Sequence, residues 1–164
     1  MSGYNFTPYY QLSDKIATAH TIQEKLALCE QAAQLLPGFV SACIKQDGEL
    51  PPEIICRDYA PIWYMRIGNW EAAANYINFC ISCNAYFPEN GADEMQYLNL
   101  YRNTAEAALA YIKANPGCLQ NQLYKNLGNA VDKACLMQFT RYSCLISKVP
   151  YKKTNKLYAG KAPQ

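Results

Sequence analysis

The sequence is poor in charge, in histidine and in long apolar runs. Only 17% of its 164 residues are charged, against 51% that are apolar, a balance that excludes a disordered chain. No unbroken apolar run approaches the roughly 18 residues of a membrane-spanning helix, so no membrane association is expected. The opening, MSGYNFTPYYQLSD, lacks a basic stretch followed by an apolar one; no secretory leader is expected, and a cytoplasmic location is the expectation. The one histidine, His20, has no companion for metal or acid–base chemistry. No glycine-rich loop has the spacing of a phosphate cradle, and the carboxylates are scattered. A cysteine nucleophile would want a base that the sequence does not offer. These absences predict no enzyme, no catalytic residue, no cofactor and no metal.

What the chain does have is thiols and tyrosines. The eight cysteines are Cys29, Cys43, Cys56, Cys80, Cys83, Cys118, Cys135 and Cys144. Without a leader, reduced thiols are expected, and most sit among apolar residues as small core side chains. The closest pair, Cys80 and Cys83, has no second pair at zinc-site spacing. Cys80 falls within a helical stripe; Cys83 lies at its edge, where partial exposure is expected. The fourteen tyrosines suit packing in small helical domains and partner interfaces.

The net charge of +2 hides a split. Up to residue 112 six cations meet twelve carboxylates, whereas from Lys113 onward nine cations meet only Asp132. Such asymmetry predicts two parts with different partners, the basic one suited to a polyanion.

Along the chain, residues 1–10 read as a loose arm or a segment packed across helices. Thr21-Ile22-Gln23-Glu24 has the pattern of a capping box. The helix it opens carries Ile22, Leu26, Cys29, Ala33 and Leu36 at helical spacing and is expected to stop at Pro37-Gly38. Asp47-Gly48 signals a turn, and Pro51-Pro52 bars a helix interior. A helix ending near Ile67, the turn Gly68-Asn69 and a helix bearing Trp70, Ala73, Ala74, Ile77, Cys80 and Ile81 then form a helical pair. The small Ala73 and Ala74 allow close approach, and Gly68 suits the positive φ of a tight helix exit. Over residues 58–87 this segment resembles a tetratricopeptide hairpin, as one unit rather than an array. The resemblance implies a groove that binds a protein or peptide, and no catalysis. Trp63 and Trp70 are the expected partner-binding residues.

Glu89-Asn90-Gly91 reads as a loop. A long helix follows, with Asp93 and Glu94 expected in its first turn and Leu98, Tyr101, Ala105, Ala108, Leu109 and Ile112 on one stripe, ending at Asn115-Pro116-Gly117. A short helix fits 118–127, with Leu119, Leu123 and Leu127 inward and Asn121 and Lys125 outward. Asn129 is the expected cap of a helix over 130–143. That helix places Cys135, Phe139 and Tyr142 on one side and Lys133, Met137, Thr140 and Arg141 on the other. Leu145 to Val149 read as a strand, 150–154 as a loop and Asn155 to Tyr158 as a return strand.

This order, with Ala114 to Tyr124, Leu145-Ile146 and Lys156-Leu157-Tyr158, resembles the winged-helix family. The resemblance implies that helix 130–143 enters the major groove of duplex DNA while the wing reaches the backbone or minor groove. Chemically, Lys148, Lys152, Lys153 and Lys156 suit phosphates. Arg141 suits guanine, Thr140 a base edge or thymine methyl, and Lys133 and Met137 the same face. Asn121 and Lys125 suit the flanking backbone. The helix is unusually apolar for this task, with one arginine, and Ser143-Cys144 stands where the family often has glycine. Exposed Met137 equally suits a protein contact.

The expected architecture is therefore mainly α: a tetratricopeptide-like helical bundle over 1–90, then a winged helix with a small antiparallel β-hairpin over 91–164. The expected function is a DNA-binding regulator whose acidic helices dock a protein, a peptide or a second copy as a homodimer. The alternative is a protein-interaction adaptor with no nucleic-acid role.

Overall fold

A computed structural model describes residues 3–164. Among the described residues the chain forms seven helices and three short strands: α1 Thr7–Thr18, α2 Ile22–Asp47, α3 Ile55–Arg66, α4 Trp70–Ser82, α5 Pro88–Ala114, β1 Cys118–Leu119, α6 Gln120–Leu127, α7 Lys133–Tyr142, β2 Ile146–Tyr151 and β3 Thr154–Ala159. The expectation of a mainly helical chain with a small antiparallel sheet holds. The chain divides into two compact units. One takes the residues up to Tyr64 together with Glu71–Met95; the other takes Met65–Trp70 together with Gln96–Gln164.

In the first unit the second of the two alternatives for the opening segment holds: it packs against α2, and from Thr7 it is the helix α1. Tyr9 stacks on Phe39 with ring centroids 3.7 Å apart, and Ile16 is fully buried. The helix escaped the sequence reading because Ser13, Asp14 and Lys15 dilute its apolar stripe. At the start of α2, Thr21 Oγ1 accepts from the Glu24 N–H at 3.1 Å. The Glu24 carboxylate reaches back to the His20 N–H rather than to Thr21, so the box closes one residue early.

The largest correction is that α2 does not stop at Pro37-Gly38. It runs through both and ends at Gly48, whose φ of 77° makes the expected turn. Proline forfeits one backbone bond within a helix, but Leu36, Phe39, Val40 and Cys43 around it are buried and hold the helix together through packing. Gly38 has its use: a Cβ there would lie 3.3 Å from Cε2 of the Tyr4 ring. Although no membrane segment was expected, α2 is long and apolar enough to cross a membrane by length and composition. In this structure one side of it packs against the rest of the first unit: Leu26, Cys29, Ala32 and Leu36 are buried, and the Tyr76 hydroxyl donates to the Cys29 carbonyl at 2.8 Å.

Also in this unit, Arg57 is buried. Its guanidinium pairs with Asp58 at 2.7 Å and donates to the Ala85 and Pro52 carbonyls. The Glu89-Asn90-Gly91 segment is helical, because α5 begins at Pro88, a residue type tolerated where the N–H has no helical partner. Glu89, not Asp93 or Glu94, occupies the first turn. Gly91 permits a close approach: a Cβ there would lie 2.6 Å from Ile81 Cγ1.

In the second unit the sheet has three strands in the order β1-β3-β2, all antiparallel. The added strand, Cys118–Leu119, takes the residues expected to open the short helix and pairs with Leu157 and Lys156. Pro150 falls in β2, an edge strand, where a missing N–H costs no ladder bond. Helix α7 starts at Lys133 rather than 130, and its cap is Asp132, not Asn129: Asp132 Oδ1 accepts from the Cys135 N–H at 2.8 Å. Leu123, Leu136, Phe139, Ile112 and Leu157 form the buried centre.

Candidate nucleic-acid interface

Eleven cations belong to the second unit: Arg66, Arg102 and the nine that follow from Lys113. Two carboxylates oppose them, and both are engaged. Glu106 pairs with Arg102 at 2.9 Å, and Asp132 caps α7. Among the described residues no cation of α7 or of the hairpin has an ion-pair partner.

Helix α7 buries Cys135, Leu136, Phe139 and Thr140 and exposes Lys133, Ala134, Met137, Gln138, Arg141 and Tyr142. Three expected residues, Lys133, Met137 and Arg141, therefore share an open face, with Met137 61% exposed. Thr140, expected on the same face, does not join them. It is 1% exposed, and its hydroxyl meets the Leu136 and Met137 carbonyls at 3.1 Å and the Tyr124 hydroxyl at 2.5 Å. A threonine hydroxyl bonded to its own preceding turn and to a neighbouring helix cannot read a base.

The Thr140 contact ends a chain of hydrogen bonds through this unit. Asn155 Nδ2 on β3 donates to Gln120 Oε1 at 3.0 Å, and Gln120 Nε2 donates to the Tyr124 hydroxyl at 2.8 Å. The chain fixes the hairpin, α6 and α7 against one another.

Asn121 and Lys125 are exposed on α6, as expected. The wing is tighter than the five-residue loop expected: β2 and β3 pair as far as Tyr151 and Thr154, leaving Lys152 and Lys153 as a two-residue turn. Both lysines are exposed, and Lys152 is held in left-handed backbone at φ 51°. Alternation in the strands separates the remaining two lysines. Lys148 lies opposite buried Leu157, whereas Lys156 lies opposite Val149. Lys148 Nζ donates to the Arg141 carbonyl at 3.1 Å, which ties β2 to the end of α7. Lys156 sits on the other side of the hairpin, half-buried, 4.6 Å from the centroid of the Tyr151 ring, with Lys152 5.4 Å from the same centroid.

Neither expected partner-binding tryptophan is freely exposed. Trp63 is only 8% exposed, stacked on Tyr59 and approached by Lys25 Nζ at 5.2 Å, so contrary to expectation it offers little surface for docking. Trp70 is half-buried against Tyr101, in the second unit. The groove in the first unit lies instead between α2 and α4, lined by Glu30, Gln34, Pro37, Asn75 and Phe79.

Sequence reasoning missed Gln138, an open-face residue of a type suited to adenine. The signal was present: stepping about 100° per residue from Lys133 places Gln138 beyond Arg141 on the open side and Thr140 on the far edge. The cysteines are all free thiols; Cys83 is half-buried, as expected, and Cys144 is exposed. Burial, followed by the Asp132 carboxylate, pushes the Cys135 thiol up to about 11. Compared with known proteins, the chain stands apart: no family model matches it, and no curated protein and no solved structure matches it significantly.

Proposed function

We propose that the second unit is a winged-helix module that binds duplex DNA. In this reading α7 enters the major groove, the Lys152–Lys153 turn contacts the backbone, and Asn121 and Lys125 flank the site. The element order from α5 to β3 supports it, because a strand between the first two helices and a terminal hairpin is the winged-helix arrangement. The observation that carries it is the unopposed charge. The unit's two carboxylates are already engaged, so the cations of α7 and the turn are free to displace counterions from a polyanion. Arg141 and Gln138 are the side chains suited to base edges. The first unit, with four cations against eleven carboxylates, serves as the partner-docking part of a regulator through the groove between α2 and α4, the second helix of the tetratricopeptide-like pair. No catalytic role is assigned.

A second reading, an adaptor that binds only protein, is favoured by one observation: Met137 is exposed on the open face of α7, with Val149 and Tyr151 exposed on the hairpin. A salt titration on arbitrary 20-base-pair duplex separates the two. DNA binding gives a linear log–log dependence whose slope shrinks by about 0.9 on Lys152→Ala. Absence of binding at low salt leaves the adaptor.

A further inference from the structure

A half-buried cation 75 positions upstream of Arg141 lies beside the end of α7. Arg66 ends α3, yet its guanidinium carbon lies 4.5 Å from the centroid of the Tyr142 ring. The guanidinium carbon of Arg141 lies 5.3 Å from the same centroid. The backbone fixes this meeting. The Cys144 N–H donates to the Arg66 carbonyl at 2.9 Å. Gly68, in left-handed backbone at φ 75°, lets Leu145 lie where a Cβ would meet it at 3.0 Å. Lys148 Nζ adds a third cation at the Arg141 carbonyl. Tyr142 itself is 41% exposed, and among the described residues neither arginine has an ion-pair partner.

A guanidinium resting on an aromatic face keeps its N–H edge free for two parallel bonds to phosphate oxygens. It also loses less freedom on binding, because the ring already limits its rotamers. We propose that Arg66 and Arg141, braced on Tyr142 with Lys148 beside them, hold the phosphodiester backbone next to the groove that α7 enters. Arg66 and Arg141 are phosphate contacts; Tyr142 is a positioning residue. The inference rests on the DNA reading and adds to it a contact from the helical pair, outside the helix and hairpin that resemble a DNA-binding module.

The test is a salt titration of the full chain on the same duplex, with Arg66→Gln, Arg66→Lys, Tyr142→Ala, Tyr142→Phe and, as control, Arg102→Gln. Arg66→Gln is expected to weaken binding about tenfold at low salt and to shrink the log–log slope by about 0.9. Arg66→Lys, which keeps the charge, keeps the slope, and if Arg66→Gln does not fold the Tyr142→Ala and Tyr142→Phe pair carries the test. Tyr142→Ala weakens binding severalfold and Tyr142→Phe restores it, since the ring and not the hydroxyl makes the brace. Arg102→Gln, whose charge already pairs with Glu106, changes little. If Arg66→Gln binds like the unaltered chain while Lys152→Ala does not, this inference falls and the DNA reading stands. If the unaltered chain fails to bind duplex at low salt, the DNA reading falls and takes the inference with it. A folded Tyr142→Ala that binds like the unaltered chain also overturns it, since the brace then contributes nothing.

Discussion

The Tyr124 hydroxyl and the Thr140 hydroxyl meet at 2.5 Å, joining α6 to α7. Thr140 is thus a joint between helices. Tyr124→Phe leaves the Thr140 hydroxyl its carbonyl partners but strands Gln120, and is expected to cost about 1 kcal/mol. Thr140→Val removes the hydroxyl that Tyr124 meets and is expected to cost a similar amount. Neither substitution removes a cation, so the salt slope on duplex DNA should stay unchanged. Urea unfolding and the titration check both halves; a slope change on Thr140→Val would return that residue to the DNA surface.

Arg57 predicts a larger loss. Its guanidinium satisfies Asp58 and the Ala85 and Pro52 carbonyls from a buried position. Arg57→Met leaves those acceptors without it and is expected to cost about 3 kcal/mol. The urea midpoint at neutral pH reads it, and a loss under about 1 kcal/mol would show that solvent replaces the guanidinium.

At the hairpin tip, stability and binding should part company. Lys152 sits in left-handed backbone, which costs an ordinary residue about 1–2 kcal/mol and asparagine less. Lys152→Asn is expected to raise the unfolding midpoint while shrinking the DNA salt slope by about 0.9. Equal slopes for the two proteins would place Lys152 outside the contact.

Alkaline pH should weaken the fold. Burial, then the neighbouring Cys56, pushes the Cys29 thiol from 9.0 up to about 12, and Cys135 rises to about 11. Unfolded thiols lose their protons near 9, so above that pH the unfolded chain binds fewer protons and stability falls as pH rises. The contribution is fully present below pH 9 and lost progressively up to the folded values of about 11 and 12. Urea midpoints under reductant should be flat from pH 7 to 8 and fall from 9 to 10.5. A shallower fall in Cys135→Ala identifies that thiol's share.

Much of this architecture is legible in one-dimensional pattern. The helical pair around Gly68, the long stripe from Leu98 to Ile112 and the hairpin's β-branched run all declare themselves through local spacing. What failed to declare itself depends on tertiary support. Pro37 looks like a stop until Leu36, Phe39 and Val40 bury the helix on both sides of it. Cys118 and Leu119 become a strand only because Leu157, far along the chain, supplies its partner groups. Thr140 looks outward on a coarse i, i+4, i+7 count, whereas a finer one places it at the edge, where the Leu136 and Met137 carbonyls and the Tyr124 hydroxyl take its hydroxyl. For the interface, the cations of α7 and the tip were readable from composition. Arg66 was not, because nothing local to α3 points to Tyr142.

The segment Met65–Trp70 belongs with residues beyond Gln96 although the first unit continues between them. The polypeptide therefore passes from one body to the other three times, and no single cut releases the basic part intact. A fragment starting at residue 91 lacks the Arg66 carbonyl that receives the Cys144 N–H. It also lacks the Trp70 ring beside Tyr101 and uncovers Leu145 where Gly68 lay. Truncation would remove part of the very structure it aimed to isolate, so substitutions in the full-length chain are the sounder way to apportion roles.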